Sequence, residues 1–345
     1  MGIDKIEKFD ENSSLPKHRQ LADLILENIE KGVFKKGQRI PSINETSFDF
    51  LVSKDTVEKA YQELKEMGIL TAVRGKGFYV TKTKFQKKPK ALLLFSKLDP
   101  FLRTTYHSII KGVNDRAVLD IHLHHCNLTI FSNLIRKYKG MYDFYVIVPQ
   151  FFDGQQHVED GFEVIRKLAN NQVLILDQAV LNHEKEFAGI YQDYEKDIFS
   201  ALETGLTHLK KYKKLNLVFP KDRLYPLEII KGFKKFAFFH EFENHIIDAV
   251  DETDDLEKGE IYLVISDTDM VQVVKKCREQ GLDLGKDIGL IAYYDSPLKE
   301  ILADGITAIS ADFGHMGSFI AQLITGEEIL QLVKCPAKLI MRNSL

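Results

Sequence analysis

Between Ser53 and Gly77 the chain carries polar and cationic side chains at spacings that suit contact with a polyanion. Lys54, Asp55, Thr56 and Glu58 fall in the first turns of a predicted helix, at the exposed end from which side chains reach outward. A lysine and a threonine there can donate to base edges and to phosphate oxygens. Further on, Arg74-Gly75-Lys76-Gly77 sets two cations on a tight turn. Its glycines permit a sharp reversal and close backbone approach, and its cations suit phosphates or a narrow minor groove. A solvated hairpin with a basic tip is the other reading of those four residues, and the helix beside them weighs against it.

These groups need a scaffold, and the flanking sequence predicts one. Leu21, Leu24, Ile25, Asn28 and Ile29 recur with helical periodicity, and Gly32 marks the stop. Gly37 and Pro41 form a turn. Ser42 with Glu45 three residues on makes a capping box for a short second helix. Ser53 can cap the third, whose buried face is Val57, Ala60, Tyr61, Leu64 and Met67, with Gly68 at the C′ position. Strands Ile69–Val73 and Phe78–Thr81 flank the basic turn. The whole reads as a helix-turn-helix with a β-wing over residues 1–81.

The remaining sequence is different in kind. Of 345 residues, 44% are hydrophobic and 28% charged, a soluble globular balance in a chain long enough for more than one core. Residues 1–90 hold 18 Lys and Arg against 13 Asp and Glu, whereas the rest holds 29 against 37. A basic module thus precedes an acidic body that has no charge reason to touch phosphates. Residues 82–90, KTKFQKKPK, read as a polar, basic linker. Apolar runs at Ala91–Phe95, Asp120–His124, Phe144–Val148, Val173–Leu176, Leu215–Phe219, Ile261–Ile265 and Ile288–Ala292 predict strands. Helical patterns at Tyr106–Ala117, Glu159–Asn170, Glu195–Lys211 and Asp269–Gln280 lie between them. That alternation predicts βαβ units and parallel sheets over residues 91–345.

Two family resemblances follow. Pro16–Thr81 resembles the GntR family of winged-helix regulators, on PSxxE at 41–45, VSKDTVEKAYQELKEMGIL at 52–70 and GKGFYV at 75–80. This implies DNA contact by Ser42, Asn44, Ser53, Lys54, Thr56, Arg74, Gly75 and Lys76. Asn44 and Glu58 stand where members of the family often carry arginines, and Lys54 where Arg is common, so a point charge replaces a fork. Residues 91–345 resemble the sugar-sensor domain of LacI-type repressors, itself similar to periplasmic sugar-binding proteins. The matching pieces include ILDQ at 175–178, IIKGFKKF at 229–236, the segment 265–295 ending AYYD, and GITAISADFGHMG at 305–317. The resemblance implies two Rossmann-like lobes with a ligand between them, held by Ser96, Phe101, Asp177, Asp193, Ser266, Asp267 and Asp295. Any of those aspartates could instead cap a helix or satisfy a loop. The arginine that such sensors often place just before the Gly-Phe of the 229–236 segment is absent, since Lys231 precedes Gly232 here.

Other chemistry is not signalled. His122, His124 and His125 cluster without a cysteine or carboxylate at metal-ligand spacing, and Cys126, Cys277 and Cys335 are scattered. There is no nucleophile elbow, P-loop or Cys-His pattern. The expected protein is a cytoplasmic, homodimeric regulator, more a repressor than an activator. It would use no cofactor and no metal, bind a palindromic operator in double-stranded DNA, and take a monosaccharide or sugar phosphate as effector. The rival expectation is a sugar- or nucleotide-processing enzyme with an accessory DNA-binding module.

Overall fold

In the computed structural model, residues 16–83, 88–152, 155–168, 172–176, 186–221, 225–251, 253 and 255–345 are described. The N-terminal module begins with α1 (Lys17–Glu30), followed by α2 (Ile43–Asp49), α3 (Lys54–Glu66) and the antiparallel pair β1 (Leu70–Val73) and β2 (Gly77–Val80). Leu21, Ile25 and Ile29 from α1 meet Val57, Tyr61 and Leu64 from α3 in one core. Tyr61 is buried there, yet its hydroxyl is satisfied by donation to the Pro41 carbonyl at 2.8 Å and by contact with Thr46 Oγ1 at 2.7 Å. That pair of bonds fixes the turn entering α2 against α3.

Beyond this module the chain builds a sheet from β3 (Lys90–Phe95), β4 (Val118–Leu123), β5 (Phe144–Ile147), β6 (Val173–Leu176) and β7 (Ala188–Tyr191). Helices α4 (Pro100–Val113), α5 (Leu128–Tyr138) and α6 (Gln155–Ile165) connect its early strands. After a crossover through α7 (Tyr194–Thr204) and α8 (Leu206–Leu209), the pattern repeats with β8 (Lys214–Val218), β9 (Glu243–Ile247), β10 (Glu260–Val264), β11 (Ile288–Tyr293) and β12 (Thr307–Ala311). Its helices are α9 (Glu228–Phe239), α10 (Asp267–Glu279) and the short α11 (Pro297–Ile301). Finally α12 (Phe313–Thr325) and β13 (Leu332–Lys334) return to the first lobe, and β14 (Ala337–Ile340) closes the second.

Both lobes have the same wiring. The first sheet runs β4-β3-β5-β6-β7-β13, all parallel, and the second β9-β8-β10-β11-β12 in parallel with β14 antiparallel at the edge. In each, the strand order reverses between the first strand and the third. That switch point is where loops leave in opposite directions and open a crevice at the carboxyl ends of the strands. The chain crosses between lobes after β7, after β12 and between β13 and β14, which gives a three-stranded joint.

Local physics explains the shifted boundaries. The helix expected at Tyr106–Ala117 runs Pro100–Val113, because Asp99 caps the Phe101 and Leu102 N–H groups at 3.1 and 2.9 Å and Pro100 sits at its first turn. The helix expected over Glu195–Lys211 is interrupted at Gly205, where an added Cβ would stand 2.8 Å from Leu339. Strands β7, β9, β12, β13 and β14 were not expected. β9 is half polar because it is an edge strand, and β13 spans three residues.

The two parts of the chain touch through a buried ion pair. Arg19 on α1 is 3% exposed and reaches Asp143, just before β5, with Nη2 3.0 Å from each carboxylate oxygen. The same guanidinium donates to the Met141 carbonyl, and Asp143 accepts the Lys90 N–H at 2.8 Å. The Lys90 side chain in turn meets Glu63 of α3 at 2.8 Å.

Candidate functional site

Two surfaces carry the chemistry. The first is the exposed end of α3 with the wing. Ser53 caps α3 by accepting the Thr56 N–H at 3.2 Å and also bonds the Thr56 hydroxyl at 2.8 Å. Ser42 caps α2 in a complete capping box, its N–H donating to Glu45 at 2.6 Å. That backbone bond, then the Ser42 hydroxyl, hold the Glu45 carboxyl below its usual range. The two expected serines therefore have a structural task as well. Asn44 and Lys54 are exposed beside them. Arg74, Gly75 and Lys76 form the exposed wing tip, with Gly75 at φ 73° and Gly77 at φ 101°. Among the described residues, Lys54, Arg74 and Lys76 make no ion pair, so their charge is available to a polyanion. One residue was missed by the sequence reading. Arg39 bridges to Tyr79 at the foot of the wing, and its Nε would lie 3.1 Å from a Cβ placed on Gly77. Its signal was a cation one turn before the PSxxE motif.

The second surface is a cleft of about 360 Å³ between the lobes, at the carboxyl ends of both sheets. Its walls come from the loops after β3 and β5 in one lobe and after β8, β10 and β11 in the other, together with the start of α12. Those loops include both switch points.

The expected ligand residues separate into groups. Phe101, Ser266 and Asp267 line this cleft. Phe101 lies 4.2 Å, ring centre to ring centre, from Tyr294 of the opposite lobe and 5.3 Å from Phe313 at the joint. Ser266 lines the wall while capping α10, since it accepts the Asp269 N–H at 3.1 Å. Asp267 has a largely exposed carboxylate, 3.1 Å from the Lys299 ammonium.

Three others stand elsewhere. Ser96 is fully buried behind the wall and donates to Gln150 at 3.1 Å, so Gln150 and not Ser96 faces the cleft. Asp193 caps α7 through the Lys196 N–H at 3.2 Å and pairs with the Lys196 side chain at 2.8 Å. Asp295 is taken by Arg342, which donates to both its oxygens at 2.7 and 2.8 Å and anchors the C-terminal segment. Burial opposes ionisation of Asp295, and the Arg342 guanidinium more than offsets it, holding the carboxyl below the usual aspartate range. Asp177 lies outside the described residues.

The cleft also contains groups that sequence reasoning missed. Gln192 is nearly buried and accepts the Tyr294 hydroxyl at 3.1 Å. Tyr294 itself has φ 63°, a left-handed conformation unusual for an aromatic residue, and its ring lies tilted against that of Tyr293, centres 4.3 Å apart. Tyr293 is buried so completely that its phenol is pushed well above its usual range. Lys299 is 3% exposed and donates to the carbonyls of Tyr293 at 3.3 Å and Tyr294 at 2.8 Å as well as to Asp267. Aromatic faces with amide and carboxylate groups around them suit a ring that is apolar on its faces and hydroxylated on its edges. Of the histidines, His124 is buried against Phe131 and Phe151, and His122 stacks on Tyr138. Among the described residues, no helix is long and apolar enough to cross a membrane.

Residues 17–80 match the family of bacterial regulatory proteins called the gntR family. The N-terminal module is thus a GntR-family helix-turn-helix domain. The chain is 35% identical over 74 residues to the HTH-type transcriptional repressor YtrA of Bacillus subtilis (strain 168), which covers 21% of this chain and 57% of that protein. It is 40% identical over 65 residues to the mannosyl-D-glycerate transport/metabolism system repressor MngR of Escherichia coli (strain K12), covering 19% of this chain and 27% of that protein. The chain spans little more than half the length of the first and about a quarter of the second. The large domain shares its two-lobed fold with the lac repressor dimer bound to operator and the anti-inducer ONPF. That likeness has a TM-score of 0.57 at 15% identity and covers 75% of this chain and 94% of that one.

Proposed function

We propose that this chain is a ligand-responsive transcription regulator, acting in the cytoplasm as a homodimeric repressor of a carbohydrate-utilisation operon. The observation that carries the reading is the cleft. Two identically wired sheets present their switch points to one cavity walled by tilted and edge-on aromatic rings and by amides, in a chain that carries a GntR-family helix-turn-helix domain. Residues 1–81 read DNA, 82–90 form the joint, and 91–345 sense the effector and pair the protomers. Twofold symmetry then asks for a palindromic operator. The relatives support a regulator over an enzyme, and the name of MngR supports a carbohydrate setting. An effector changes DNA affinity only by its unequal affinity for two arrangements of the lobes.

Fluorescence anisotropy with DNA from upstream of the chain's own gene tests this. Wild type is expected to prefer that DNA over scrambled sequence, and a monosaccharide is expected to weaken the binding. Arg74→Ala should weaken binding to all sequences and lower the slope of log affinity against log salt by about 1. Equal affinity for both DNAs would sink the proposal.

A further inference from the structure

The two lobes share their wiring but differ in what covers one face of the sheet. In the first lobe α5 connects β4 to β5, and its Phe131 and Ile135 join the fully buried Leu92 of β3 in one core. In the second lobe the matching connection, residues 248–259 between β9 and β10, forms no helix among its described residues. Val250 and Leu256 of this segment pack with Val218 and Val264. The next row of the pleat, towards the amino ends of the strands, is left open.

Asn216 of β8 occupies that row. It pairs across to His245 of β9 and Tyr262 of β10, as Leu92 pairs across to Asp120 and Tyr145. Asn216 is 3% exposed, and its Nδ2 has no hydrogen-bond partner among the described residues. It lines a cavity of about 270 Å³ whose other walls include His245, Tyr262, Asp255, Glu257 and Glu260. An amide N–H withheld from water with nothing to donate to is costly, and here a space stands beside it where an acceptor can sit. The walls are held without Asn216. Glu260 accepts from Lys214 at 2.7 Å, from the Tyr262 hydroxyl at 2.5 Å and from the Glu257 N–H at 3.3 Å. The Val250 N–H donates to Asp269 at 3.1 Å and the Leu256 N–H to Gln280 at 3.1 Å, while Gln280 donates to Asp255 at 2.7 Å. Lys214 is committed to Glu260, so carboxylates dominate the rim and favour a ligand that brings N–H donors.

We propose that this face of the second lobe is a ligand site separate from the interlobe cleft, taking a small flat molecule with a cis-amide or amidine edge, as a nucleobase or a carboxamide presents. Asn216 donates to the acceptor on that edge, its own carbonyl accepts the neighbouring N–H, and Asp255 and Glu257 can accept further N–H groups. A donor beside an acceptor is the pattern that a primary amide reads in adenine. The first lobe has no counterpart, because Leu92 and α5 fill the same place.

The test uses the full-length protein with adenine, cytosine, uracil, hypoxanthine and nicotinamide, in calorimetry and hydrogen-exchange mass spectrometry. At least one compound is expected to bind and to slow exchange across β9 and residues 255–262, with no change over residues 292–302 in the cleft wall. The bases and nicotinamide separate the two sources. Asn216→Leu gives the second lobe the residue type of the first. It is expected to weaken that binding by about tenfold or more and to melt no lower than wild type, because the unmet N–H is gone. His245→Trp should block the same cavity from its edge, and the His245 side chain is 50% exposed, so β9 has room for the larger ring. Binding that survives both substitutions, or protection confined to residues 292–302, overturns the inference. Silence from every compound also overturns it and leaves Asn216 as a buried amide of the fold alone.

Discussion

Buried between Phe131 and Phe151, the His124 imidazole has Nε2 3.0 Å from the Val148 carbonyl oxygen and Nδ1 without a partner among the described residues. Burial pushes its pKa down from 6.5 to about 4, and the Val148 hydrogen bond opposes that only in part. The folded state therefore binds the proton less well than the unfolded chain. Above pH 6.5 both states hold the ring neutral and no penalty exists. As pH falls from 6.5 towards 4 the unfolded state gains a proton that the folded state refuses, and stability drops by about 1.4 kcal/mol per pH unit. Comparing urea midpoints of wild type and His124→Phe between pH 7 and 5 checks this. The variant should lose less stability over that range, by about 2 kcal/mol, and parallel profiles would show that His124 stays unprotonated in both states or charges in both. The residue scale is also where the sequence was least legible. Asp295 ends a motif that reads as hydroxyl-binding, yet its partner Arg342 lies near the end of the chain, a distance that no local pattern spans. Lys299 carries no sequence signal, because its partners are the backbone carbonyls of Tyr293 and Tyr294.

At the scale of elements, α4 and α12 pack closely, and this helix pair ties the cleft's first lobe to its joint. An added Cβ on Gly317 would stand 2.3 Å from the Thr105 carbonyl oxygen, and one on Gly112 would stand 2.5 Å from Ala321. The helices therefore touch backbone to backbone, and the obstacle at Gly317 cannot rotate away. Gly317→Ala is expected to cost about 1–3 kcal/mol in chemical denaturation and to weaken effector binding, because Phe101 and Phe313 open these two helices. If the variant melted like wild type, the tight packing of the pair would be refuted. Elements differed in how well the sequence revealed them. The winged helix was legible because its signals are local: Ser42 with Glu45, Ser53 before α3, and the glycines of the wing each act within a few residues. The inner strands β3, β6, β10 and β11 were legible as apolar runs because both faces are buried. The strands that were missed include edges and pieces of the crossover, whose existence depends on neighbours far along the chain rather than on composition.

At the scale of the whole molecule, the proposed reader and sensor are useful in one chain only if one feels the other, and the structure offers a short route. Strand β3 begins at Lys90, whose side chain meets Glu63 on α3 and whose N–H meets Asp143. It ends at Phe95, beside Ser96, which donates to Gln150 in the cleft wall. Arg19 clamps the start of this strand region to α1 through Asp143. A lobe movement that shifts β3 or β5 is thereby passed to α1 and α3 through side-chain contacts as well as through the covalent connection that precedes Lys90. Removing the clamp should leave both binding sites whole and loosen the link between them. Arg19→Gln and Asp143→Asn are each expected to lower stability by about 1.5–3 kcal/mol, the range for a hydrogen bond to a charged group. Asp143 keeps some solvent contact, with 30% of its side chain exposed, which favours the lower end. The decisive quantity is the coupling factor, the ratio of DNA affinities with and without saturating effector. By linkage the same factor must appear as the ratio of effector affinities with and without DNA. It should shrink in each single variant, and shrink no further in the double variant, because the two residues form one contact. Coupling that survives intact in all three proteins would mean that the signal travels through the joint or the dimer interface, and that the Arg19–Asp143 pair only holds the domains together.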